Sequence, residues 1–135
     1  MMFDTCTIIV SVFIVICSNN VFGNAFGSSY PPPSVLCVGE ALYDSLPSGI
    51  YLGGAPSNVA VHLASLFQSS DDPSLSIAIA TCVGDDQLGR EAQRRFNVKG
   101  VRTDYIQFHD EWETGMATAI LDENGDATYE VRHIL

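Results

Sequence analysis

Asp44 and the run Gly53-Gly54-Ala55-Pro56-Ser57-Asn58 are the residues best suited to chemistry in this sequence. Two adjacent glycines remove both Cβ atoms, so the backbone can take positive φ and a ligand can approach the main chain closely. Pro56 suits the first turn of a helix, where a missing N–H costs nothing. The N–H groups at such a helix start favour anions and hydroxyl oxygens, and the Asn58 amide can both donate and accept. The chemistry implied is recognition of a polar small molecule by hydrogen bonds. The same spacing also fits a glycine turn entering an ordinary helix, and Asp44 also fits a turn aspartate. No G-x-G-x-x-G and no Gly-Lys-Ser/Thr occurs here, which excludes the dinucleotide fingerprint and the P-loop.

The elements that must position these groups read as alternating strands and helices. Residues 35–39 form a continuous apolar run, as expected of a strand buried on both faces. Residues 40–44 continue from its end, which puts Asp44 near the carboxyl end of a strand, where open α/β sheets place ligands. Turn chemistry follows over 45–49, then a brief extended piece over 50–52 enters the glycine pair. Beyond Pro56, Val59, Leu63 and Leu66, with Ala60, Ala64 and Phe67 beside them, recur at helical spacing as a core-facing stripe. Residues 77–83 are a second buried strand ending in Gly84-Asp85-Asp86, where an aspartate caps the next helix. That helix carries the stripe Leu88, Ala92 and Phe96. Arg94, Arg95 and Lys99 collect at its carboxyl end, where the dipole favours cations, and Gly100 terminates it. Residues 101–107 read as a third strand. Residues 114–121 and 127–134 read as two more, joined through Asn124-Gly125, a strong hairpin signal. The small residues Gly115, Ala117 and Ala119 leave room on one face.

The chain has 135 residues, a net charge of −10, 47% hydrophobic and 16% charged residues. That is the composition of one globular domain, and without a basic run it argues against a nucleic-acid partner. The cysteines Cys6, Cys17, Cys37 and Cys82 show no metal-binding spacing, and Cys37 and Cys82 read as buried thiols. Residues 1–25 read as a signal or targeting segment, with an apolar run over 6–17 and small residues at Gly23 and Ala25, although no Lys or Arg precedes the run. Residues 26–33 are a Pro-rich linker stiffened by three prolines. The folded domain then occupies 34–135.

With these pieces in order, residues 35–132 resemble the amino-terminal portion of a PfkB (ribokinase-like) carbohydrate kinase, closest in style to fructokinases. The family's first signature is matched by Gly53-Gly54-Ala55-Pro56-Ser57-Asn58-Val59-Ala60. Supporting matches are Val35-Leu36-Cys37-Val38-Gly39-Glu40 with Asp44, and Val83-Gly84-Asp85-Asp86-Gln87-Leu88-Gly89-Arg90. The hairpin beginning Thr114-Gly115 resembles the family's lid strands. The resemblance implies an α/β fold: a ribokinase-like, partial Rossmann-type sheet flanked by helices with a small β-strand lid, incomplete at the C-terminus. It implies that Asp44, Gly53, Gly54 and Asn58 contact a sugar, fructose or a related one, with Ala117 and Ala119 as lid contacts. Family lid strands often pair between subunits, so a homodimer through the lid is a further implication.

Two departures qualify this. Phe67 stands where the signature expects glycine or serine. The family's second signature, containing Gly-Ala-Gly-Asp, and its Asn-x-x-Glu magnesium motif do not occur in this sequence. The resemblance implies ATP and Mg2+ as cofactors, but the general base and the cofactor motifs fall outside this chain, so no catalytic residue and no metal ligand is assigned. The leading expectation is the sugar-binding part of an ATP-dependent kinase, inactive alone. A non-catalytic sugar- or partner-binding remnant is the alternative, and a Rossmann-type oxidoreductase domain is disfavoured by the missing fingerprint. For location, a secretory-type segment with a plastid destination through a two-part presequence stands against a cytoplasmic protein with a misassigned start.

Overall fold

Eight strands form two sheets in the computed structural model, which describes residues 13–16, 31–69, 75–121 and 127–132. The elements in chain order are β1 (Phe13–Ile16), β2 (Val35–Val38), β3 (Leu42–Leu46), β4 (Gly49–Gly53), α1 (Ala55–Gln68), β5 (Ile77–Gly84), α2 (Gln87–Val98), β6 (Val101–His109), β7 (Met116–Leu121) and β8 (Ala127–Arg132). The first sheet has the order β1-β2-β5-β6 and the second β4-β3-β7-β8. Strands β2, β5 and β6 run parallel, while β1 is antiparallel to β2. The remaining residues of the expected targeting segment, the first half of the linker and the expected Asn124-Gly125 turn lie outside the described residues. The antiparallel register of β7 and β8, with Ala119 opposite Tyr129, is that of the expected hairpin.

The main core lies between the first sheet and its two helices. Cys37, Ile77, Ile79 and Val83 from the strands meet Ala60 and Ala64 of α1 and Ala92 and Phe96 of α2. The opposite face of the same strands buries Leu36 and Ala78 with Val38, Ala80 and Tyr105 around them. Burial on both faces is why these strands read as unbroken apolar runs. Burial also pushes the Cys37 thiol pKa up, as expected of an unreactive packing thiol. Cys82 is only half-buried.

The helices follow the sequence closely. Asp86 is the N-cap of α2, accepting from the Gly89 N–H at 2.8 Å, and Gly100 after the last turn has φ 77°. Arg94 and Arg95 both bond Glu91, at 2.7 and 2.8 Å, which holds the pKa of that half-exposed carboxyl at about 2. In α1 the stripe is narrower than its spacing predicts. Ala60 and Ala64 are buried and Val59, Leu63 and Phe67 pack beside them, but Leu66 is 67% exposed. The sheet meets α1 along its alanines, and Leu66 lies round the cylinder from that line.

Truncating Phe96, which is fully buried, to alanine should lower stability by about 3–5 kcal/mol through a cavity that cannot collapse. Leu66→Ala should fall within about 0.5 kcal/mol of the parent, as an exposed site does. Urea unfolding midpoints of the two variants check this, and equal losses would contradict the described core.

Candidate functional site

Residues 42–53 form a hairpin with the two-residue loop Pro47-Ser48, with Leu42 opposite Gly53, Asp44 opposite Tyr51 and Leu46 opposite Gly49. This corrects the expectation of a turn over 45–49. Ser45 is a strand residue because it pairs with both β4 and β7, and Leu46 because it pairs with Gly49 of β4, and those pairings outweigh their weak local preference. Asp44 therefore sits in the middle of the second sheet, and not at the carboxyl end of the buried strand β2.

Pleating decides which way Asp44 faces. Its neighbour Tyr43 is 1% exposed in the main core, and its hydroxyl donates to the Leu88 carbonyl at 3.1 Å. Successive residues of a strand point to opposite faces, so burying Tyr43 turns Asp44 to the other side. On that side the register places Ala117 of β7 beside Asp44, with Ala119 two residues further along the same face. Ala117 is buried and Ala119 half-buried.

Gly53 completes the arrangement. A Cβ built there would run into the Asp44 carboxylate, so the carboxylate lies directly over bare backbone. Gly54 has φ 96°, and a Cβ there would stand 2.5 Å from the Glu40 carbonyl. The first glycine makes room for a side chain, and the second permits the bend into α1. Among the described residues no donor meets the Asp44 carboxylate, and its burial pushes the pKa upward.

The start of α1 is held from below by Glu40. Ala55 N–H donates to Glu40 Oε1 at 3.3 Å, and the buried Ser57 hydroxyl donates to the Glu40 carbonyl at 3.2 Å. Sequence reasoning left this helix start open for a ligand, whereas a carboxylate of the chain itself answers the positive end of the dipole. Glu40 was legible only as the residue after an apolar strand. With Asp44 and Glu40 both acceptors, the surroundings of the glycine pair favour hydroxyl donors over anions.

Asn58 is placed differently. Its N–H donates to the Gly54 carbonyl at 3.0 Å, but the residue is exposed. It lines a cleft of about 280 Å3 between α1 and the end of α2, with His62 and Lys99. Tyr51 lines the same cleft and is also the strand partner of Asp44, so it is the residue common to both regions. Asp44, Gly53 and Ala117 are thus brought together around one patch of backbone, and Gly54 and Asn58 follow on the adjoining turn. Trp112 is half-exposed and meets His109 edge to face at 6.2 Å.

Comparison with known proteins points to one family. The pfkB family carbohydrate kinase profile matches residues 49–131. The probable fructokinase-6, chloroplastic, of Arabidopsis thaliana is 32% identical over 126 residues, covering 82% of this chain and 31% of that protein. Among solved structures, the fructokinase of Xylella fastidiosa with bound ATP has a TM-score of 0.60 at 32% identity, covering 73% of this chain and 30% of that one. The apo fructokinase of Vibrio cholerae O395 has a TM-score of 0.63 at 29% identity, covering 73% and 33%. The chain therefore spans about a third of the length of the relatives it matches. The ribokinase-like α/β fold expected from the sequence, with its small strand lid, is the one observed.

Burial of an uncompensated carboxylate has a pH signature. Because the folded pKa of Asp44 is raised, the folded state binds this proton more tightly than the unfolded chain, and stability falls as pH rises through the carboxylate range. Asp44→Asn should raise the melting temperature at neutral pH, and the gain should fade below the ordinary aspartate pKa. Thermal melts of both proteins from acid to neutral pH check this, and a gain that persists unchanged in acid would contradict it. The two glycines separate in the same assay. Gly54→Ala should destabilise by at least about 1–3 kcal/mol, since its positive φ suits no other residue, while Gly53→Ala displaces mainly the Asp44 side chain.

Proposed function

This chain belongs to the pfkB family of carbohydrate kinases, and on that footing we propose that it is the sugar-recognising part of an ATP-dependent kinase of fructokinase type. The observation that carries the reading is the Asp44 carboxylate, half-buried over the Gly53 backbone and met by no donor among the described residues. A sugar hydroxyl supplies the missing donor, and a hydrogen bond to a charged group is worth about 1.5–3 kcal/mol. Gly53 and Gly54 let the ring reach the main chain, and Asn58 supplies a further donor and acceptor from the adjoining turn. Ala117 and Ala119 are small enough for the lid face to close over the ring and exclude water, which limits wasteful hydrolysis during phosphoryl transfer. Fructose is the first sugar to test, because the relatives compared above are fructokinases.

The chemistry of the family is transfer of the γ-phosphoryl group of ATP to a sugar hydroxyl, assisted by Mg2+ and a general base. A fructokinase relative holds ATP. In this chain no group of three or more His, Cys, Asp or Glu is placed to hold a metal ion among the described residues. The Gly-Ala-Gly-Asp signature is not in the sequence. No step of the transfer is therefore assigned to residues of this chain, whose part is to bind and orient the acceptor. That same division supports a second reading, a non-catalytic sugar-binding protein using this pocket without ATP. Pairing of two copies through the lid belongs to the proposal too, supported by the exposed Ile50, Tyr51, Ile120 and Tyr129 of the lid sheet. A plastid location is supported by the chloroplastic relative.

Calorimetric titration of the full chain with fructose should show binding that Asp44→Ala weakens by roughly 10- to 150-fold. Undiminished binding by the variant would overturn the role given to Asp44. Neither reading gives this chain the groups for phosphoryl transfer, so no phosphorylation of fructose with Mg-ATP is expected, and turnover by the chain alone would overturn both. A fluorescent fusion to residues 1–30 should reach plastids, and a signal elsewhere would remove that location.

A further inference from the structure

The point where the chain passes from the first sheet to the lid sheet is Thr114, and it is tied down unusually well. Its N–H donates to Asp86 Oδ2 at 2.7 Å and its hydroxyl donates to Asp86 Oδ1 at 2.8 Å. The same hydroxyl oxygen accepts from the Gly84 N–H at 3.1 Å, and all of this lies in a region where Thr114 is 4% exposed. Asp86 at once caps α2 through the Gly89 N–H. A Cβ on Gly84 would stand 2.6 Å from the Thr114 nitrogen, and one on Gly89 would stand 3.0 Å from its hydroxyl, so both glycines are needed for the approach. On the other side of this knot, the Gly115 carbonyl accepts from the Tyr43 N–H at 2.9 Å, and Met116 begins the β3–β7 pairing opposite Tyr43.

We propose that Asp86 is a positioning residue for the lid: its carboxylate straps Thr114 to the start of α2 and so fixes where β7 enters the lid sheet. The register that puts Ala117 beside Asp44 begins two residues after the strapped position. A one-residue slip there would turn the other face of β7 toward Asp44. One carboxylate therefore serves the helix and the lid together, which a capping serine or asparagine would not do. A serine accepts from the helix N–H but is too short to reach across to Thr114. The link from lid register to sugar affinity rests on the pocket reading above, whereas the strap itself does not.

Hydrogen exchange of the full chain, followed by mass spectrometry, tests the strap without any ligand. Asp86→Ser preserves a good N-cap, so amides of α2 should keep their protection while those of β7 exchange about tenfold faster or more. Thr114→Val, which leaves the cap untouched, should show the same confined loss. If β7 protection is unchanged in both variants, or if β5, α2 and β7 all lose protection equally, the positioning role is wrong. Titration of the Asp44 carboxyl by NMR gives a second readout, since a loosened lid should let its pKa fall toward the ordinary value in Asp86→Ser. Fructose affinity forms a separate arm. A wild-type chain that fails to bind fructose sinks the pocket reading and leaves the exchange result to decide the strap. A wild-type chain that binds, with Asp86→Ser binding equally well, removes the lid's role in recognition.

Discussion

Tyr43 and Asp44 are neighbours on a pleated strand, and the structure depends on their facing opposite ways. The ring of Tyr43 is enclosed in the main core, with the Arg95 guanidinium over one face and its hydroxyl on the Leu88 carbonyl. Burying an aromatic ring of this size contributes several times what any single surface contact does. Its position is therefore not negotiable, and the strand's twofold alternation passes that constraint directly to the carboxylate beside it. The ring of Tyr43 thus ties the lid sheet to the main core, while its N–H, bonded to the Gly115 carbonyl, opens the pairing of β3 with β7 inside the lid sheet.

The glycine pair can be understood in the same terms. Nothing about a tight turn requires two glycines in succession here, because the Pro47-Ser48 loop reverses the hairpin. Gly53 is glycine because the Asp44 carboxylate occupies the space of its side chain, and Gly54 because the backbone must bend back past the Glu40 carbonyl. The signature thus records two separate steric facts, one about a side chain and one about the main chain. Glu40, in turn, neutralises the helix start, which leaves a patch rich in acceptors and poor in donors.

Much of this was legible in the amino-acid sequence, for identifiable reasons. The strands β2 and β5 and the stripe Leu88–Ala92–Phe96 show because burial of whole faces leaves long, regular patterns. The cap at Asp86 and the stop at Gly100 show because each answers a local backbone need. The β3–β4 hairpin did not, since Ser45, Leu46 and Gly49, beside the true loop residues Pro47 and Ser48, look like loop residues until their strand partners are known. Leu66 misled because helical spacing gives a stripe its period without saying how wide the facing surface is. Thr114 was legible only as the start of the lid hairpin, not as an anchor. Its importance lies in reaching Asp86 across 28 positions of chain, a relation that composition and periodicity do not encode.

The uncompensated Asp44 carboxylate has a consequence for the economy of the cell. A charge kept partly dry, with no donor among the described residues, makes the protein less durable than its packing would otherwise permit. A guest bearing hydroxyl groups would relieve that burden, since whatever binds only the native form draws the population toward it by mass action. Degradation samples the unfolded fraction, so on the proposed sugar-binding reading the amount of this protein would rise and fall with the supply of that sugar.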